Sequence, residues 1–157
     1  MTSLEGKKAP SFSLQNEKGE VVSLEDFANK KYVILYFYPK DSTPGCTTQA
    51  CDFRDHHEDF SHLDAVILGV SPDDEKSHQK FIGKHGLPFS LLIDDEHEVA
   101  EKYGVWKLKK MFGREFMGIE RSTFLINPEG EIVKEWRKVK VKGHIAEALE
   151  TLKEIKG

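Results

Sequence analysis

Cysteine is scarce in this chain: of 157 residues only two are cysteines, at positions 46 and 51. Two thiols are too few for the disulfide framework of a small secreted protein, so a structural bridge is not their expected use. Long apolar runs are missing as well. The longest, YVILYFY at 32–38, falls far short of the roughly 20 residues that cross a bilayer. The amino terminus, MTSLEGKKAPSF, mixes acidic with basic residues and lacks the apolar core of a signal peptide. A cytoplasmic protein without a membrane partner is the expectation. Charge of one sign is absent too: 27 acidic and 23 basic residues give a net charge of −4. The local clusters KLKK (107–110) and RKVKVK (137–142) read as solvated faces, which leaves no case for nucleic acid. No repeat, low-complexity tract or linker divides the chain, so one domain over residues 1–157 is expected.

What is present is an alternation of buried-type strands and amphipathic helices. EVVSL (20–24) reads as a short strand, and KYVILYFY (31–38), DAVILGVS (64–71) and FSLLID (89–94) as buried ones. DDEKSHQKFIGKHG (73–86) reads as a helix stopped by Gly86, and EHEVAEKYG (96–104) as a shorter one. RSTFLIN (121–127) and EIVKEWRKV (131–139) flank a Pro-Glu-Gly turn and make a hairpin. HIAEALETLKEIK (144–156) places Ile145, Ala148, Leu149, Leu152 and Ile155 on one helical face. Residues 105–118 show no period and read as a loop or broken helix. The sum is an α/β layered domain on a mixed central sheet, with a right-handed parallel βαβ unit near its start. In such sheets a site lies beyond the carboxyl end of a strand, where the next helix begins. Cys46 falls there.

Thr43 is a candidate N-cap, with Pro44, Gly45 and Cys46 as the first three helical residues. The helix is expected to continue through Ala50, Phe53, His57 and Phe60, with Cys46 on the same inward stripe. The unpaired N–H groups and the dipole at a helix start favour an anion there. An ordinary thiol is only about 3 % ionised at pH 7, and such a site with a nearby cation raises that share greatly. A small buried hydrophobe is the alternative reading of Cys46. Cys51 lies ~140° around an intact helix from Cys46, with Cα atoms roughly 8.6 Å apart. A disulfide needs less than ~7 Å. Either the two never pair, or the first turns unwind, which the poor helix formers of TTQACD make easy.

Pro39, Thr43 and Cys46 stand as P-x-x-x-T-x-x-C, and FYPKDSTPGCTTQAC (37–51) resembles the active-site segment of the peroxiredoxin family, in its peroxiredoxin Q or bacterioferritin comigratory branch. GKKAPSFSL (6–14), GLPFSLLIDDEHEVAEKYGV (86–105) and MGIERSTFLINPEG (117–130) are similar to family segments as well, while Ser90 and Lys107-Leu108 depart from the pattern. The resemblance implies a thioredoxin-like fold with an N-terminal β extension. It implies that Cys46 is the peroxidatic nucleophile and Cys51, five positions on, the resolving cysteine. Arg121 would hold the thiolate and polarise the peroxide, Thr43 would hydrogen-bond the peroxide, and Pro39 would shield the sulfur from water.

The activity so implied is thiol-dependent reduction of hydrogen peroxide and alkyl hydroperoxides, in antioxidant defence and redox homeostasis. Cys46 becomes a sulfenic acid, Cys51 closes an intrachain disulfide, and thioredoxin or a similar dithiol reopens it. No metal, flavin or haem is called for, and a monomer is expected. Phe37, Tyr38 and Trp106 are candidates to line an apolar approach. One rival is a thiol–disulfide oxidoreductase, though the usual C-x-x-C is missing; a peroxide sensor on the same fold is another. A metal site built from His56, His57 and His62 is a third, but their helical spacing does not converge.

Overall fold

A computed structural model describes residues 3–157; Met1 and Thr2 lie outside the described residues. The chain opens with two short antiparallel strands, β1 (Ser13–Gln15) and β2 (Val21–Ser23), which form the β extension. β3 (Tyr32–Phe37) leads into α1 (Pro44–Asp55) and α2 (His57–His62). β4 (Ala65–Ser71), α3 (Glu75–His85), β5 (Ser90–Ile93) and α4 (Glu98–Lys102) follow. β6 (Trp106–Met111) and β7 (Arg114–Ile119) form a ribbon; β8 (Ser122–Ile126), β9 (Ile132–Trp136) and α5 (His144–Lys156) complete the chain. Among the described residues no helix is long and apolar enough to cross a membrane.

The central sheet has the order β5-β4-β3-β8-β9, parallel across β3–β4–β5 and antiparallel from β3 to β8 and β9. β3 is apolar at every position because both of its faces are covered. Ile34 and Tyr36 point into a core shared with α1, α3 and α5, whereas Val33, Leu35 and Phe37 point into a second core with α4 and the amino-terminal segment. Period-two alternation therefore assigns each side chain to one of two cores.

The mixed sheet, the βαβ unit and the thioredoxin-like layering agree with expectation, as do the β8–β9 hairpin and the Gly86 cap, which adopts φ +61°. Three local expectations need correction. Residues 105–118 form the β6–β7 ribbon, which alternation failed to signal because apolar and charged side chains occur on both of its faces. The helix expected to run through His57 breaks at His56, whose Nδ1 lies 2.9 Å from the Asp52 carbonyl. The break keeps Phe60 fully buried while leaving His57 half-buried. Ile155, expected on the inward face of α5, is 40 % exposed near the helix end.

Candidate active site

Two strand ends build the site. β3 ends at Phe37, and its chain continues over the edge of the sheet into α1. β8 runs antiparallel to β3 with Ser122 opposite Phe37. Arg121, the residue just before β8, is thereby placed beside the first turn of α1. Its backbone is fixed by a hydrogen bond from Val139 N to its carbonyl, at 2.9 Å.

Cys46 occupies the third helical position and is 2 % exposed. Arg121 Nη2 donates to Cys46 Sγ at 3.3 Å, and Nη1 donates to Gln49 Oε1 at 2.6 Å. One turn on from Cys46, the fully buried Gln49 thus holds the guanidinium with its donor edge on the sulfur. The first helical hydrogen bond runs from Thr47 N to the Thr43 carbonyl at 2.8 Å. Upstream of it, the N–H groups of Gly45 and Cys46 have no partner within the helix. Gly45 lies close to the arginine: a Cβ there would sit 3.2 Å from Arg121 Nη2. An arginine, two N–H groups without a helical partner and the positive end of a helix dipole thus converge at this sulfur.

Both cysteines are free thiols, and Cys51 is half-buried in the same helix. Because α1 is intact from Pro44 to Asp55, a bond between them requires its first turns to open. Behind Cys46 the Tyr36 ring stacks on Phe53 with centroids 4.6 Å apart, and its hydroxyl is buried with no partner among the described residues. Burial, and then the neighbouring Cys46, push the Tyr36 phenol well above its ordinary range. On the solvent side stands Lys109 of β6. Burial lowers its pKa, Arg121 lowers it further, and Cys46 and Glu120 act against the shift.

Thr43 stands at the N-cap position, as expected, but its side chain makes no capping hydrogen bond. Its Oγ1 donates to the Lys40 carbonyl at 2.8 Å, because Ser42 turns the chain at φ +64°. Pro39 is half-buried at the end of β3. Phe37 and Trp106 do not line the approach: Phe37 belongs to the opposite core, and Trp106 stacks on His97 at 3.7 Å between centroids. Tyr38 does lie in the Cys46 core.

Sequence reasoning missed a buried polar cluster at the base of the site. Asp41 Oδ1 accepts from Tyr38 Oη at 2.5 Å, and Oδ2 accepts from Ser77 Oγ at 2.8 Å and His78 Nδ1 at 2.6 Å. His78 Nε2 donates to the Leu92 carbonyl at 2.9 Å, and Asp73 Oδ2 accepts from Asp41 N at 2.7 Å. Asp41, Asp73 and His78 are the one group among the described residues with metal-ligand proximity. The hydrogen bonds of the cluster occupy both Asp41 oxygens, so it reads as structural. His56, His57 and His62 form no such group. Local sequence carries no signal for the cluster, because Asp41 and His78 lie 37 positions apart.

A reactive-type cysteine at the head of the helix that follows the central strand of a thioredoxin-like sheet defines a class of thiol-based redox proteins. Comparison with known proteins narrows the class. A family model described as AhpC/TSA matches residues 5–135, and the chain belongs to that family. It is 65 % identical over 150 residues to Peroxiredoxin Bcp of Bacillus subtilis, covering 96 % of this chain and 95 % of that one. It is 54 % identical over 144 residues to a putative peroxiredoxin bcp of Coxiella burnetii, covering 92 % and 95 %. A solved structure of the bacterioferritin comigratory protein of Xanthomonas campestris, described for its alkyl peroxide reduction activity, matches with TM-score 0.88. The identity there is 43 %, over 93 % of this chain and 92 % of that one.

Proposed function

We propose that this protein is a thiol peroxidase that reduces hydrogen peroxide and alkyl hydroperoxides through Cys46. The observation that carries the reading is the Arg121 guanidinium 3.3 Å from a buried sulfur in the first turn of α1. The relationship to Peroxiredoxin Bcp and to a protein described for alkyl peroxide reduction supports it.

The Cys46 thiolate attacks the terminal oxygen of ROOH. The O–O bond breaks, a proton joins the departing RO⁻ to give ROH, and the sulfur becomes a sulfenic acid. Negative charge spreads over both oxygens in the transition state. Arg121 and the N–H groups of Gly45 and Cys46 are aimed at it. The Thr43 hydroxyl, its proton committed to the Lys40 carbonyl, offers lone pairs to the O–H of the peroxide. Pro39 limits water at the sulfur. After the first turns of α1 open, the Cys51 thiol displaces water from the sulfenic acid and the disulfide closes. A dithiol reductant of the thioredoxin type reopens it by exchange. On this reading the chain works as one domain, as a monomer in the cytoplasm, with no cofactor beyond its two thiols.

The test is kinetic. Cys46→Ser abolishes peroxide consumption, whereas Cys51→Ser keeps a single oxidation and loses turnover with thioredoxin. Full thioredoxin-driven turnover by the Cys46 variant would overturn the assignment.

A further inference from the structure

The β6–β7 ribbon joins neither of the other sheets. Five of the seven large hydrophobic side chains that stand exposed among the described residues belong to it: Leu108, Met111, Phe112, Phe116 and Met117. Phe112 is 96 % exposed and heads a two-residue turn with Gly113, both at positive φ, 51° and 76°. Such turns favour Asn or Asp at that place, and a bulky residue there is uncommon. Neither the turn nor the core accounts for a phenylalanine at this tip.

The register shows where these side chains point. Leu108 faces Met117 across the ribbon, and Lys109 faces Phe116. Leu108 and Met117 therefore lie on one face, and Met111 and Phe116 on the other. A protein partner lying against a ribbon covers one face. A ribbon with exposed apolar side chains among cations on both faces, and an apolar side chain at its turn, suits a boundary between an apolar medium and anionic headgroups. Around it are cations. Residues 106–118 carry a net charge of +3 and residues 137–142 one of +4, in a chain of net −4. Lys107, Leu108, Arg137 and Lys138 line one depression together with Glu120, so the two basic segments adjoin around a single acid. Long basic side chains extend to headgroups while their stems stay in apolar surroundings, and aromatic side chains settle at a membrane–water boundary.

We propose that the β6–β7 ribbon is a docking element for anionic phospholipid surfaces, its tip entering the interface and its lysines and arginine meeting the headgroups. The basic clusters that read as plain solvated faces in the sequence acquire a partner, and the expectation of no membrane contact is revised. Arg121 stands two residues beyond β7, so docking turns the Cys46 site toward the lipid. The consequence, reduction of peroxidised acyl chains in place, rests on the peroxidase reading; the docking itself does not.

Vesicle flotation tests the docking with the reduced full chain and no turnover. Binding is expected to vesicles of phosphatidylcholine with phosphatidylglycerol, to fall as salt rises, and to be near absent on phosphatidylcholine alone. Lys110→Gln with Arg114→Gln should weaken it by about 25-fold, roughly fivefold per charge. Phe112→Ser should abolish flotation while leaving hydrogen peroxide consumption as in the wild type, and should slow reduction of a phospholipid hydroperoxide held in vesicles. Three outcomes overturn the proposal: no flotation of the wild type, equal flotation by Phe112→Ser, or a concentration-dependent dimer lost in Phe112→Ser without any vesicle binding. The last would make the tip a contact between copies of this chain.

Discussion

Replacing Asp41 by asparagine removes one charge from a cluster that solvent does not reach. The Asp41 and His78 side chains are 1 % and 0 % exposed, with 2.6 Å between Oδ2 and Nδ1. His78 Nε2 faces a backbone carbonyl, which only accepts, and Nδ1 faces a carboxylate. Both ring nitrogens therefore donate, and the ring is an imidazolium by the logic of its partners. Burial opposes that charge, but the hydrogen bond and charge of Asp41 outweigh it, helped by the Leu92 carbonyl and Asp73, and the His78 pKa is raised. An asparagine amide in place of Oδ2 would confront the Ser77 and His78 donors with another donor. Removing one partner of a buried pair is expected to cost about 3 kcal/mol, which in a domain of this size lowers Tm by about 6–12 °C. The pH dependence gives a second readout. Because the folded pKa lies above its usual 6.5, the contribution of His78 to stability is complete below 6.5 and is lost as pH rises through the raised value. In Asp41→Asn that decline on the alkaline side should disappear. Urea unfolding across this pH range measures both. A loss under about 1 kcal/mol, against the 3–5 kcal/mol typical of a broken buried pair, would refute the argument, as would an unchanged pH profile.

Arg121→Lys keeps the charge but cannot reach Cys46 and Gln49 together, as the guanidinium does at 3.3 and 2.6 Å. Loss of one charge-assisted hydrogen bond, about 1.5–3 kcal/mol, should slow Cys46 oxidation by roughly 10–150-fold in stopped-flow fluorescence; an unchanged rate would refute the role. His144 is buried at the start of α5, and burial lowers its pKa from 6.5 to about 4. The unfolded chain takes up a proton that the fold resists, so stability is complete above 6.5 and falls by roughly 3 kcal/mol as pH drops towards 4. His144→Gln should flatten this acid limb in urea titrations.

The layers of this fold were legible because β3 and β4 are apolar at nearly every position, and only a strand covered on both faces has that composition. The place of Cys46 followed from Thr43-Pro44-Gly45 ahead of it. That Arg121 reaches the sulfur depends on the Phe37–Ser122 register, which local sequence does not encode and which only the family resemblance supplied. The Asp41–His78 cluster was illegible for the same reason: its members lie 37 positions apart. The β6–β7 ribbon hid itself differently. Its outward apolar residues break the alternation on which strand recognition relies, so an unread segment coincided with the surface that has an external task.

On the proposed assignment, one of the three buried anchors of the first turn of α1 is the sulfur that reacts. Pro44, Gly45 and Thr48 are exposed, Thr43 makes no capping bond, and the buried anchors of this end are Cys46, Gln49 and Ala50. On the proposed assignment, oxidation replaces the attacking sulfur with a bulkier neutral sulfenic acid, and the Arg121 contact to it then weakens. A loss of about 1.5–3 kcal/mol shifts opening of the turn by one to two orders of magnitude, towards the state in which Cys51 can reach. Gly45→Ala tests this coupling. Helical propensity favours alanine over glycine by about 1 kcal/mol, and the new Cβ, 3.2 Å from Arg121 Nη2, presses on the guanidinium that Gln49 and Cys46 hold. Closed turns are therefore favoured by up to about fivefold. Timed thiol trapping with mass spectrometry should show disulfide formation slowed by that factor, with sulfenic acid accumulating and more sulfinic acid at high peroxide, and the first oxidation slowed as well because the new Cβ crowds the nitrogen that donates to Cys46 Sγ. Disulfide closure at the wild-type rate or faster would mean that opening of this turn does not limit the step.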